Sequence, residues 1–282
     1  MEFADYIQTL CIPGNGIDKS SVKVEWSQNY CRQSLPFICD KIENEWKKKC
    51  LICPSMWNGS KFRLHQIQLS RKNNCHMPQV KLLLGSTCYK DFIGSNCAPE
   101  SEILVNLGLQ NHDNSQAYAS DPLGVGALIT TNDNNIIFIR RSGQCAEFPF
   151  MDVIAKAGDD FQNMDSSLIL EEIFDSILKE VTEEVNIPIQ NLSSPLLLGV
   201  SYNPLTMRTP SLEFYLKCDL STGEIQELYT KRIEGDIEES TELIIIPAED
   251  VLNNDLKELK YYDQLTFGAK AAIIFFKVFS SK

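Results

Sequence analysis

Three carboxylates, Glu180, Glu183 and Glu184, have the clearest chemical potential in this chain. They lie in the stretch Glu171-Glu-Ile-Phe-Asp-Ser-Ile-Leu-Lys179-Glu180-Val-Thr-Glu183-Glu184-Val-Asn186-Ile187. On a helix turning about 100° per residue, Glu180 and Glu184 differ by about 40° and Glu183 lies about 60° from Glu180, so all three share one flank. Like charges spaced i,i+4 cost an isolated helix roughly a few tenths of a kcal/mol. A divalent cation among them offsets that repulsion, and hard oxygen donors suit Mg²⁺, with Mn²⁺ as the alternative. A solvated acidic face on an amphipathic helix produces the same run of residues, so the elements around the carboxylates must decide.

The helix that carries them is expected from Ser166 to Val185. Asp165-Ser166-Ser167 can cap its start, apolar Leu168, Ile173, Ile177 and Val181 recur at helical spacing, and Asn186 followed by Pro188 ends it. Ahead of it, Gly126 to Thr131 and Asn135 to Ile139 read as two strands of a hairpin joined by the turn Asn132-Asp-Asn-Asn. Behind it, Leu196–Ser201, Leu212–Lys217 and Leu243–Pro247 read as strands, and Gly268 to Phe279 as a largely apolar final helix. Nearer the start, Ile42 to Lys49 reads as a charged helix, and Lys61–Leu69 and Val80–Leu84 as strands. The segment Asn106 to Asp121, rich in Asn, Asp, Gln and Ser, reads as a connector. The expected fold class is therefore mixed α/β, a layered domain over residues 116–282 preceded by a smaller α+β unit over residues 1–115.

A chain of 282 residues has ample length for a real core. A net charge of −12 with no basic stripe argues against a nucleic-acid partner, whose phosphates need Lys and Arg. A small phosphorylated ligand can still be held by a metal ion and one or two placed cations. No apolar run approaches the roughly 20 residues needed to cross a bilayer, and the first residues show no secretion signal, so no membrane association is expected and the cytoplasm is the expected location. The ten cysteines follow no regular framework and read as free thiols. Cys50-x-x-Cys53 with Cys75-His76 offers four zinc-type ligands, although one CxxC without a second spaced pair is weak grounds for such a site.

The segment Lys179-Glu180-Val181-x-Glu183-Glu184-x-Asn186-Ile187, with seven residues between Glu171 and Lys179, resembles the second half of the Nudix box, G-x5-E-x7-R-E-U-x-E-E-x-G-U, where U is a bulky apolar residue. Lys179 stands where that family has Arg, and Asn186 where it has Gly. Lys keeps the positive charge, and Asn is the residue after Gly that best accepts a left-handed helix end. A larger departure lies upstream. The family's glycine pair, which lets a backbone carbonyl approach the metal, is replaced by Asp152-Val153-Ile154-Ala155-Lys156-Ala157-Gly158 and a longer insert. The resemblance implies a Nudix α/β/α sandwich with a mixed sheet.

Other segments resemble one branch of that family, the uridine diphosphate glucose and galactose pyrophosphatases of animals and their plant relatives. They include Lys61–His65, Leu84–Asn96, Gln116–Ala127, Phe138–Ser142, Pro195–Gly199, Glu213-Phe-Tyr215, Glu239-Ser-Thr241 and Gly268–Ile273, in the family's order. The branch implies a nucleoside diphosphate sugar as substrate, split with Mg²⁺ into UMP and a sugar 1-phosphate. It implies Glu180 and Glu184 as metal ligands, Glu183 as a direct or water-mediated one, and Trp57, Tyr89, Arg141, Ala146, Asp152 and Gly268 as substrate contacts. Chemistry supports most of these: Tyr89 or Trp57 can stack on a base, Arg141 can hold phosphate oxygens through paired hydrogen bonds, and Asp152 can accept from base or sugar. The general base is left between Glu180 and Glu239. A catalytically silent Nudix-fold binder of a nucleotide sugar or a partner protein is the rival reading, supported by the missing glycine pair and opposed by retention of all three carboxylates.

Overall fold

The computed structural model describes residues 9–12, 16–54, 56–70, 78–141, 153–154, 165–231 and 240–281. Along them run β1 (Thr9–Cys11), β2 (Val22–Trp26), α1 (Pro36–Ile52), β3 (Ser60–Ser70), β4 (Gln79–Cys88), α2 (Tyr89–Gly94) and α3 (Ser101–His112). Next come β5 (Gly124–Thr130), β6 (Asn135–Arg141), β7 (Val153–Ile154), α4 (Ser166–Val185), β8 (Leu196–Asn203) and β9 (Thr209–Lys217). The chain continues through α5 (Thr222–Thr230), β10 (Ser240–Pro247), α6 (Ala248–Asn253) and α7 (Phe267–Ser280).

The strands form two sheets. The smaller is ordered β2-β4-β3, with β2 parallel and β3 antiparallel to β4. The larger is ordered β1-β8-β9-β5-β6-β10, with β7 added beside β5. Only β5 and β9 run parallel within it, so the sheet is mixed.

Helix α4 lies between the sheets because its apolar positions fall on one broad stripe. Ile169, Ile173, Ile177, Val181 and Val185 share a core with Val125, Ile129, Leu212 and Phe214 of the large sheet and with Val22, Phe62 and Leu82 of the small one. On the far face of the large sheet, Phe275 and Phe276 of α7 join Leu128, Phe138, Leu198 and Tyr215 in a second core. The result is the expected mixed α/β/α sandwich, with alternate residues of β5 and β9 pointing into opposite cores.

The ends of α4 follow the sequence closely. Asp165 caps its start by accepting the Ser167 amide at 3.2 Å, and Asn186 closes it in the left-handed region at φ 64°. The core stripe is entered at Ile169 rather than Leu168, which is 52% exposed. The segment expected as a connector needs correcting: its first part is α3, and only the stretch after His112 is irregular. The Asn, Gln and His side chains that suggested a loop sit largely on the helix's open side, while Leu104 and Gly108 face inward, so the polar composition reflected solvent rather than a break in the helix. Among the described residues, no helix is long and apolar enough to cross a membrane.

Candidate active site

The hairpin β5–β6 is paired only near its turn. Ile129 pairs with Ile137 and Thr130 with Ile136, and beyond these the two strands take different neighbours. The first residues of β5 pair with Val153 and Ile154 of β7, while β6 continues along β10 as far as Arg141 opposite Ser240. Where β5 and β6 part, a cavity of about 50 Å³ opens between the sheet and α4. Its walls are Val125, Gly126, Ala127, Ile137, Ile139 and Ile177, together with Glu180 and Glu184.

Glu180 and Glu184 are half-buried and reach this cavity from successive turns of α4. Glu183 is exposed and is not part of the cavity wall. Among the described residues, no three His, Cys, Asp or Glu side chains converge tightly enough to hold a metal by themselves. Two carboxylates are nevertheless a sufficient protein contribution for Mg²⁺, which keeps several waters and is completed by phosphate oxygens of its substrate. The cavity also exceeds the roughly 10–15 Å³ that one water requires. Donor type, donor number and space therefore fit a hydrated hard cation.

The helix end behind the carboxylates is firmly fixed. The Asn186 amide donates to Thr182 O, its side-chain Nδ2 donates to Leu228 O at 2.9 Å, and Thr182 Oγ1 donates to Leu178 O at 3.0 Å. At the other end of the motif, Glu171 is exposed and meets Lys19 at 3.7 Å, a surface contact of little energetic weight.

The remaining candidates fall in several places. Tyr89 begins α2; its amide donates to Gly59 O at 3.0 Å, and its ring lies against Trp46 and Phe92 at 6.1 and 6.2 Å between centroids. Burial raises its hydroxyl above the ordinary tyrosine value. Trp57, two residues before Gly59, is 65% exposed, and its ring lies against Gly59. The described wall of the Glu180–Glu184 cavity includes neither aromatic. Gly268 sits in the first turn of α7, just inside the cap made by Thr266 Oγ1 and the Ala269 amide at 3.0 Å. Arg141 is the last residue of β6, two positions beyond Ile139 of the cavity wall. The Arg141 side chain, Ala146, Asp152, Glu239 and the stretch Ala155–Gly158 lie outside the described residues. So do Cys75 and His76, while Cys50 and Cys53 are half-buried.

A larger cavity of about 650 Å³ opens at the turn end of the sheet, lined by Asn132, Asn191, Lys217 and Phe276 among others. None of the motif carboxylates lines it, whereas Glu180 and Glu184 line the smaller opening.

Comparison with known proteins shows the family. The chain is 35% identical to uridine diphosphate glucose pyrophosphatase NUDT22 of Bos taurus over 277 residues, covering 94% of both chains. It is 34% identical to the Homo sapiens protein of the same name, covering 94% of this chain and 89% of the relative. Nudix hydrolase 9 of Arabidopsis thaliana is 33% identical over 259 residues, covering 84% of this chain and 81% of the plant protein. No family model matches the chain. The chain belongs to the Nudix hydrolase family. As in the Nudix box pattern, its helix carries the Glu183-Glu184 pair in its last turn and closes two residues later at Asn186, which adopts positive φ. The structure adds a feature missed in the sequence: Gly124 and Gly126 face Ser211 and Glu213 across β5 and β9, and a G-x-G spacing inside a strand was the available signal.

Proposed function

We propose that this protein hydrolyses the diphosphate of a nucleoside diphosphate sugar, with UDP-glucose or UDP-galactose as substrate and UMP and a sugar 1-phosphate as products. The observation that carries the reading is that Glu180 and Glu184, one helical turn apart, line a single cavity where β5 and β6 separate. Relatives named for uridine diphosphate glucose, aligned over nearly the whole chain, support the substrate class.

In this reading Glu180 and Glu184 hold Mg²⁺ or Mn²⁺, and the exposed Glu183 engages the ion through water. When bound, the ion neutralises diphosphate oxygens and lowers the pKa of a water molecule. In the hydrolysis a water oxygen bonds to one phosphorus as the bridging P–O bond breaks, and the departing phosphate retains the bridging oxygen. The water's proton passes to a carboxylate, Glu239 or Glu180. Arg141 steadies phosphate oxygens through paired hydrogen bonds, and Tyr89 and Trp57 offer aromatic faces to the base. Asp152 accepts from base or sugar, and Ala146 and Gly268 complete the contact surface. Positioning and charge neutralisation supply most of the acceleration in such transfers. We assign the reaction to the cytoplasm.

The test is incubation of the purified protein with UDP-glucose and Mg²⁺ while UMP is followed chromatographically, repeated with Glu184→Gln. UMP from the first protein and essentially none from the second is the expected result. No UMP from either would overturn the reading.

A further inference from the structure

On the α7 face of the large sheet, positions opposite the motif helix are mostly apolar, as Leu128, Leu198 and Tyr215 illustrate. Glu213 interrupts that pattern. It is 1% exposed on β9, and burying a carboxylate is costly unless the surroundings are arranged for it. The arrangement is specific. Ser201 Oγ on β8 donates to Glu213 Oε1 at 2.7 Å, while Oε2 lies over Gly126, its direct neighbour on β5. A methyl group on Gly126 would stand 2.3 Å from Oε2, so any side chain there would have to displace the carboxylate from its present seat. One step back along both strands the arrangement recurs: Gly124 opposes Ser211, whose buried hydroxyl has no hydrogen-bond partner among the described residues.

Gly126 also forms part of the cavity wall faced by Glu180 and Glu184. A single strand therefore separates the Glu213 carboxylate from the carboxylates of α4. Gly126 occupies the stretch of β5 that lies beyond the β6 pairing and is not among the β7 partners, where backbone position depends most on side-chain support. We propose that Glu213 is a positioning residue for the ion site: its carboxylate, oriented by Ser201 and seated in the glycine notch, fixes Gly126 and thereby the cavity wall opposite Glu180 and Glu184. This rests on the reading of Glu180 and Glu184 as the ligand pair.

The experiment is a titration of the full-length protein with Mn²⁺, followed by loss of the free-ion electron paramagnetic resonance signal, for wild type, Glu213→Gln, Ser201→Ala and Glu184→Gln. Thermal melting is recorded in parallel. Altered support behind a metal site typically weakens metal affinity roughly tenfold or more, and that loss is expected for Glu213→Gln, with a smaller loss for Ser201→Ala. Wild-type Mn²⁺ affinity in folded Glu213→Gln overturns the proposal, whatever its melting temperature. If Glu213→Gln does not fold, wild-type affinity in Ser201→Ala overturns it instead. Unchanged affinity in Glu184→Gln would mean that the ligand-pair reading itself had failed. A tenfold higher Mg²⁺ requirement for UMP release in Glu213→Gln, with KM for UDP-glucose unchanged, distinguishes positioning of the ion from general damage.

Discussion

Two groups of charged side chains illustrate different uses of a carboxylate. On β3, Arg63 is 2% exposed and donates to Ala119 O at 3.1 Å, Tyr30 O at 2.9 Å and Gln116 O at 2.7 Å, and meets Asp121 at 3.5 Å. Asp121 also accepts from Asn96 Nδ2 at 2.9 Å, and the same amide reaches Thr206 O, so this hub ties β3, the end of α2, the approach to β5 and the β8–β9 turn together. Glu180 and Glu184 instead face a cavity whose other walls are largely apolar side chains. The hub surrounds its charges with protein groups already in place, which holds the small sheet to the large one. The cavity places two carboxylates on one wall of an opening, where a ligand could meet both.

The contrast breaks most visibly if each group is altered in turn. Arg63→Met leaves Asp121 buried without its cation, and removal of one partner from a buried pair typically costs about 3–5 kcal/mol. A shift of that size in urea unfolding, with Mn²⁺ affinity retained by the folded fraction, is expected. A shift under about 0.5 kcal/mol, the range of ordinary surface substitutions, would show that the hub does not hold the sheets together. Glu184→Gln should behave in the opposite way, reducing UMP release on the order of a hundredfold, which is about 2.7 kcal/mol of barrier, with little change in unfolding. The exposed Glu183→Gln should cost roughly tenfold, the lower end for a side chain that reaches the ion through water. Equal losses at Glu183 and Glu184 would contradict the different placements of these side chains.

The hub should also leave a pH signature. Burial raises the Asp121 carboxyl to about 7 despite opposing contributions from Arg63 and Asn96. Between about pH 4, the unfolded aspartate value, and pH 7, the native state therefore binds more protons at this site than the unfolded chain does, and stability falls as pH rises through that window. Asp121→Asn removes that slope and tolerates the left-handed backbone at φ 44°. The difference in urea midpoint between variant and wild type should grow in the variant's favour from pH 4.5 to 7.5. A difference that stays constant over that range would mean that Asp121 keeps its ordinary titration.

The sequence announced the cavity side better than the hub. Helix α4, its caps and the three-carboxylate spacing are periodic and local, so they were legible without coordinates. The hub is built from residues as far apart as Arg63, Asn96, Asp121 and Thr206, and no local pattern marks a pairing made by chain crossing. Strand β2 was missed although Val22-Lys-Val-Glu-Trp26 alternates, because a five-residue parallel strand carries little signal. Helix α5 was missed although Ser221 and Glu224 form a capping box, since nine residues hold little more than two turns of periodicity. The separate environments of Glu180, Glu183 and Glu184 were not legible, because spacing gives an angle around a helix axis and not the neighbouring strand that decides which angles face a cavity.

The smallest effect sharpens the comparison at its junction with the fold. Asn186 replaces the Gly of the family pattern at φ 64°, and its side chain adds the bond to Leu228 O of α5. Asn186→Gly relieves backbone strain but loses that bond, worth about 0.5–1.5 kcal/mol, so the two changes should nearly cancel. Asn186→Ala loses the bond and also the short polar side chain that lets asparagine accept the left-handed region, a conformation that costs other residues roughly 1–2 kcal/mol. Urea unfolding should therefore rank wild type close to Gly and both above Ala, with UMP release changing by less than about tenfold for Gly. If Gly were as damaging as Ala, the Leu228 bond would be the dominant restraint on the end of α4, and the left-handed turn would be secondary. The carboxylates would then depend on α5 for their position.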